Sequence, residues 1–315
     1  MEVADGVFSA MGGEARVLVV GGARDAIDQA RARIEQLEAR WSRFRDDSEV
    51  SRLKRSAGRP VVVSDDTFLL VERACAGWRT TGGRFDPTVL TALEHLGYDR
   101  TYGEIDSATD RDLTLAAGAP GCAEIGLDPT VRAVTLPVGV GFDPGGIGKG
   151  LAADFVVAEL LTAGAAGALV SVGGDLRVGG RAPTGDDWRV AVEDPRDPAV
   201  HRAVLEIRDA GVATTSRTSR TWSLGETSVH HVIDPVRGLP APGPLAVTAV
   251  ATDAWIAEVA AKAAFVAGAA HAADVLRSLG VAGAIIGDSG GLEVVEGPAG
   301  VGAELVIPAR PEHAR

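Results

Sequence analysis

The sequence predicts an α+β fold. Helical periodicity is strong in several long segments. Strand-like runs cluster between those segments, whereas a doubly wound parallel sheet would alternate strands and helices one for one. Apolar residues make up 46% of the 315-residue chain, enough for a sizeable core.

The elements follow in order. Val17–Val20 reads as a short strand, turned by Gly21-Gly22. Over 24–41, Ile27, Ala30, Ile34, Leu37 and Trp41 recur at steps of three and four, an amphipathic helix. Val61–Val63 is a second strand, and Ser64 is the expected cap of a helix over 65–80 that Gly82-Gly83 ends. Asp86 and Pro87 read as the N-cap and first residue of another helix. Residues 100–141 are strand- and turn-rich, with Pro120, Pro129 and Pro137 as punctuation. A helix is expected over Ile147–Leu161. Strands are expected over Ala168–Val172, Trp188–Val192, Ala203–Ile207 and Leu245–Val250, the third with clean alternation. Alanine-rich helices at 254–267 and 270–279 precede the last strands, 283–287 and 291–295. The chain is expected to be one domain over 1–315. The Pro-rich patch at 237–244 is a candidate subdomain boundary, and 308–315 a frayed tail.

Composition excludes several functions. The 31 Lys plus Arg against 43 Asp plus Glu give a net charge of −12, and no basic run offers a face for nucleic acid. Cys75 and Cys122 make no disulfide framework and no metal-binding pair, and read as buried small hydrophobes. No stretch approaches the roughly 18 apolar residues of a membrane span. No signal segment opens the chain, so the expected compartment is the cytoplasm.

Four segments carry candidate chemistry. Phe142-Asp143-Pro144-Gly145-Gly146-Ile147-Gly148-Lys149-Gly150 places glycines, an aspartate and a lysine before a helix. Backbone N–H groups there suit a phosphate. The Walker A spacing fails, because Asp143 and Gly150 stand where Gly and Ser/Thr belong. Gly173-Gly174-Asp175 follows a strand and is by itself a turn. His230-His231 heads a short apolar strand; one imidazole is a candidate general base, and both fit surface positions equally. Glu258 and Lys262 stand four apart on a helix that is apolar nearly all round, so they are a structural pair or a site. The chain has only three lysines: Lys54, Lys149 and Lys262.

Taken together, these segments resemble one family, the ApbE-type flavin transferases (FAD:protein FMN transferases). The matching motifs run in order from Met11-Gly12 through Trp41-Ser42-Arg43-Phe44 and Asp47-Ser48-Glu49-Val50-Ser51-Arg52-Leu53. Next come Gly82-Gly83-Arg84-Phe85-Asp86-Pro87-Thr88, the Asp143–Gly150 loop, Val172-Gly173-Gly174-Asp175 and Ala213-Thr214-Thr215-Ser216. His231-Val232-Ile233-Asp234-Pro235 and the helix of Glu258 and Lys262 complete the series.

The resemblance implies one α+β unit of mixed and antiparallel sheets with packed helices, and an FAD site between its halves. Met11 and Phe44 would line the flavin or adenine pocket. Arg84, Phe85, Asp86, Asp143, Lys149 and Val232 would contact FAD. Magnesium would sit on the pyrophosphate, held by Glu258 and the Gly146 carbonyl. The partner would be an acceptor protein with an FMN-binding domain. Its Thr or Ser hydroxyl would attack the FMN-side phosphorus with His231 as base, and AMP would leave. The sequence departs from the family where Glu258 and Lys262 replace an Asp/Thr pair. There the Lys262 ammonium is expected at the pyrophosphate. Lys54, another departure, is expected near the site. The alternatives are a non-catalytic FAD-binding protein and an FAD pyrophosphatase.

Overall fold

The computed structural model describes residues 1–105, 116–297 and the backbone of 303–306. Eight strands form the central sheet: β1 (Val3–Ala10), β2 (Gly13–Val20), β3 (Gly167–Val172) and β4 (Asp175–Gly180), then β5 (Gly211–Ser216), β6 (Ala246–Ala251), β7 (Ala282–Ile286) and β8 (Leu292–Val295). Their spatial order is their chain order, and every adjacent pair is antiparallel. The α+β expectation holds, with the main sheet antiparallel throughout.

The helices are α1 (Ala26–Trp41), α2 (Glu49–Arg55), α3 (Asp65–Thr80) and α4 (Leu90–His95), followed by α5 (Gly148–Thr162), α6 (Ala254–Val266) and α7 (Ala272–Ser278). α1 buries the expected stripe of Ala30, Ile34, Leu37 and Trp41; each large side chain gains roughly 1.5–3 kcal/mol on leaving water. Ser64 caps α3 as expected, its Oγ accepting from Thr67 N; such a cap is worth about 1 kcal/mol.

α5 packs on β3 and β4, α6 on β5 and β6, and the two helices touch. Their contact depends on Gly150. A Cβ there would lie 2.6 Å from the backbone of Ala254, at the start of α6. The opposite face of the sheet is covered by a second antiparallel sheet, Trp188–Asp194, Asp197–Ile207 and Ala303–Val306. Ala203, Leu205 and Ile207 alternate into that layer with Val178, Val212 and Val250. Val247, Ala249 and Ala251 point the other way, into the helical layer. β6 is therefore buried on both faces, and reads as an apolar run broken only by Thr248, whose hydroxyl is hydrogen-bonded to that of Thr214.

Several expectations need correction. β1, β4 and β5 escaped the sequence reading. β1 is an edge strand with one buried residue and an internal glycine, and β4 ends in two glycines. Asp86 does not cap a helix, because α4 begins only at Leu90. Its Oδ1 instead accepts from Thr88 N at 2.8 Å and Thr88 Oγ1 at 2.6 Å, closing a local turn. His230 does not head a strand; it ends the second strand of the hairpin Thr221–Leu224/Thr227–His230. The 237–244 patch holds the short strand Leu239–Pro240, paired with Ile233–Asp234. Within 100–141 the strands are Gly126–Asp128 and Ala133–Thr135, while 106–115 and the tail 308–315 lie outside the described residues.

Candidate active site

A cavity of about 400 Å³ opens where the β1–β2 turn, the end of α1, the Arg84–Pro87 turn, the Asp143–Lys149 loop, His231 and α6 meet. Met11, Phe44, Arg84, Phe85, Asp86, Asp143, Gly146, Lys149, His231, Val232 and Lys262 all line it. Glu258 does not line it. It lies 1% exposed, beneath the lysines.

Glu258 organises the floor. Its Oε2 accepts from Gly150 N at 2.9 Å, and its Oε1 meets Lys149 Nζ at 3.2 Å and Lys262 Nζ at 3.4 Å. Two helices, α5 and α6, thus aim their ammonium groups at one carboxylate. The N–H of Gly150, offered by sequence as a phosphate donor, is spent on Glu258. Lys149 also bonds Asp175 Oδ2, and Asp175 Oδ1 accepts from Thr214 N at 3.2 Å. Burial pulls the Lys149 ammonium down to about 8, although Glu258 opposes the shift. Burial pushes Glu258 up, but Lys149, Lys262 and the Gly150 N–H outweigh it and hold the carboxyl below its usual range.

The rim is cationic and aromatic. Arg43 lies between Phe44 and Tyr98, its guanidinium carbon 4.2 and 4.5 Å from the two ring centroids. Its Nε meets Asp143 Oδ1 at 3.1 Å, and its Nη1 donates to Tyr98 O at 2.8 Å. Arg220 donates to the Tyr98 hydroxyl at 3.0 Å. Met11 and Gly12 form the two-residue turn between β1 and β2, both with positive φ (50° and 70°). Positive φ is uncommon for Met, and this turn type demands it at both positions. Asp86 borders the cavity, but both its oxygens are engaged, Oδ2 accepting from Trp78 Nε1 at 3.1 Å. Burial is the main influence on its carboxyl and raises it.

The two histidines separate. His231 lines the cavity, and its Nδ1 lies 3.1 Å from Ser219 O. A carbonyl only accepts, so Nδ1 carries the proton and Nε2 the free lone pair. Burial, then the charges of Lys262, Arg220, His230 and Lys149, hold His231 well below the ordinary imidazole value. His230 packs edge-on against Phe265, with ring centroids 5.9 Å apart, and its Nδ1 accepts from Val232 N.

Sequence reasoning missed Arg43, Tyr98, Arg220 and Asp175 as parts of the site. Arg43 and Asp175 stood inside quoted motifs, whereas Tyr98 and Arg220 carried no local signal. Lys54, expected near the site, bonds Glu94 at 2.5 Å and does not line the cavity.

The donor set does not fit the divalent metal that the resemblance implies. Among the described residues no three His, Cys, Asp or Glu side chains gather as a metal site. Both Glu258 oxygens are engaged, one by two ammonium groups. The Lys262 stem lies over Gly146, where a Cβ would meet Cδ and Cε at 3.2 Å. Asp143 is paired with Arg43.

The fold and the cavity define a small-ligand-binding α+β protein whose site is floored by cations and flanked by a neutral imidazole. Residues 11–286 match the model of the ApbE family, and the chain belongs to that family. It is 32% identical over 237 residues to the FAD:protein FMN transferase of Treponema pallidum, covering 69% of this chain and 64% of that relative. A similar protein of Vibrio cholerae is 26% identical over 66% of this chain and 62% of its own. The matches thus span less than two thirds of these relatives' lengths. The crystal structure of the ApbE protein of Thermotoga maritima superposes with a TM-score of 0.85 at 27% identity, over 94% of this chain and 97% of that one. No helix of the described residues is long and apolar enough to cross a membrane.

Proposed function

We propose that this protein is an FAD:protein FMN transferase acting on an acceptor flavoprotein. The observation that carries the reading is the placement of a neutral imidazole, His231, in the same cavity as the Lys149 and Lys262 ammonium groups. Phosphoryl transfer needs little else: charge stabilisation at the phosphate and help for the nucleophile. The family membership supports FAD as the substrate.

In this reading the isoalloxazine or adenine ring rests near Met11 and Phe44. Arg84, Phe85, Asp86, Asp143 and Val232 frame the dinucleotide, and the lysines face the pyrophosphate. The hydroxyl of an acceptor Thr or Ser is a weak nucleophile at neutral pH. His231 Nε2 takes its proton as the oxygen attacks the FMN-side phosphorus. The P–O bond to AMP breaks, AMP leaves, and FMN remains as a phosphoester. A placed base contributes about 10²–10⁴-fold.

Incubation with FAD and an FMN-binding acceptor domain tests this, with mass spectrometry of the acceptor as readout. The expected result is the mass of one FMN on one Thr or Ser, with AMP released. FMN and AMP in solution with an unmodified acceptor would make the protein a pyrophosphatase. Unchanged FAD would make it a carrier.

A further inference from the structure

Two of the chain's three lysines converge on one buried carboxylate at the floor of the cavity. Lys262 comes from α6 and Lys149 from the first turn of α5. The cluster holds two ammonium groups and two carboxylates, and Glu258 is shared between both lysines. The other carboxylate is the buried Asp175, which forms an ion pair with Lys149 and also accepts from Thr214 N. Lys262 has Glu258 alone as its ion-pair partner among the described residues, at the longer distance of 3.4 Å. The cluster is balanced in charge but not in position: Lys149 and Lys262 line the cavity while Glu258 and Asp175 lie behind them, so the face met by a ligand is the cationic one and favours an anion.

The same geometry disfavours a divalent cation. To reach Glu258 it would have to displace two ammonium groups, or sit beside them and be repelled by both. To reach the Gly146 carbonyl it would have to move the Lys262 stem, which lies against that residue.

We infer that the pyrophosphate of the ligand is met in this protein by the ammonium pair Lys149–Lys262, seated on Glu258, and that binding needs no divalent metal. The inference rests on the FAD reading for the identity of the ligand, but the lysine site itself concerns any nucleotide diphosphate. Lys262 exchanges its long contact with Glu258 for a phosphate oxygen, while Lys149 and the Gly150 N–H continue to neutralise the carboxylate. No bond is made or broken in this step.

The test is equilibrium binding of FAD and of ADP to the full chain by calorimetry, in excess EDTA and in magnesium. The expected result is a Kd within about twofold in the two buffers. Lys262→Met, nearly isosteric, should weaken both ligands about 10-fold or more, the value of a lost charge-assisted contact. Lys262→Arg should recover most of the loss. The double variant Glu258→Asp with Lys262→Thr removes the ammonium and frees a carboxylate and a hydroxyl, so magnesium should now tighten binding. Loss of FAD and ADP affinity in EDTA, restored by magnesium in the unmutated protein, overturns the inference. So does Lys262→Met binding as tightly as the parent. ADP binding that is insensitive to EDTA, without FAD binding, would uphold the lysine site and remove the flavin reading. Magnesium-dependent FAD binding would do the reverse.

Discussion

His231 donates from Nδ1 to the carbonyl oxygen of Ser219 over 3.1 Å. That bond fixes the neutral tautomer and leaves Nε2 as the acceptor for a substrate proton. His230, one residue earlier, spends its Nδ1 on the Val232 N–H and its ring edge on Phe265. His231→Ala is therefore expected to lower transfer by about 10²-fold or more and leave FAD affinity within a few-fold. His230→Ala should change the rate far less. Single-turnover kinetics with saturating FAD measure both, and a reversed order would place the base on the other ring.

The charges around His231 set its pH response. Burial, Lys262, Arg220, His230 and Lys149 all favour the neutral ring. A lowered value means the base stays unprotonated further into acid. The acid limb of kcat/KM, which reports the free enzyme, is expected below the ordinary imidazole value of about 6.5. Lys262→Met removes one of these cations and should move the limb upward. An unmoved limb would detach His231 from the rate.

Lys149 sets the alkaline side. With its ammonium drawn down to about 8, the free protein loses that charge as pH rises through this region. FAD affinity should be constant below about 7 and fall progressively above about 8, toward tenfold per pH unit while the bound ammonium remains protonated. Titration of FAD fluorescence across pH 6–10 reads this directly.

Gly146 leaves no room for a side chain. A Cβ there would lie 2.8 Å from Phe85 Cε2 and 3.2 Å from two carbons of the Lys262 stem. Gly146→Ala should cost about 1–3 kcal/mol in stability by overpacking, and should weaken FAD binding by displacing Lys262. Denaturant unfolding and calorimetry separate the two effects.

Asp154 holds the start of α6 from α5. Its oxygens accept from Ala254 N at 2.8 Å and Trp255 N at 3.0 Å, and Arg177 lies at 3.5 Å. Arg177 Nη1 is already buried without a partner. Asp154→Ala leaves two helix-start donors and a guanidinium uncompensated, and should cost on the order of 1–3 kcal/mol. Thermal unfolding should show the drop in Tm.

Local patterns carried much of this protein on their own. The 3.6-residue stripe of α1, the Ser64 cap and the all-round apolar α6 each depend on neighbours within a few residues, so the chain spells them out. Each motif loop was legible as a short run, and though they are spread from Met11 to Lys262 along the chain, all the proposed ligand contacts face the same cavity. β1 and β4 did not announce themselves. Edge exposure and glycines erase the alternation that marks a half-buried strand, and only pairing with β2 and β3 makes them strands.

The charges of the site were decided by tertiary structure. Glu258 meets Lys149 from 109 positions away, and Tyr98 meets Arg220 from 122. Sequence placed a carboxylate and an ammonium four apart on a buried helix, which left a structural pair and a site equally open. The close approach of α5 to α6 at Gly150 brought the second ammonium to the same oxygen. A lone i, i+4 pair would be neutral on every side, whereas here both ammonium groups line the cavity and both carboxylates, Glu258 and Asp175, lie behind them. That difference depends on distance in space, which no spacing along the chain contains.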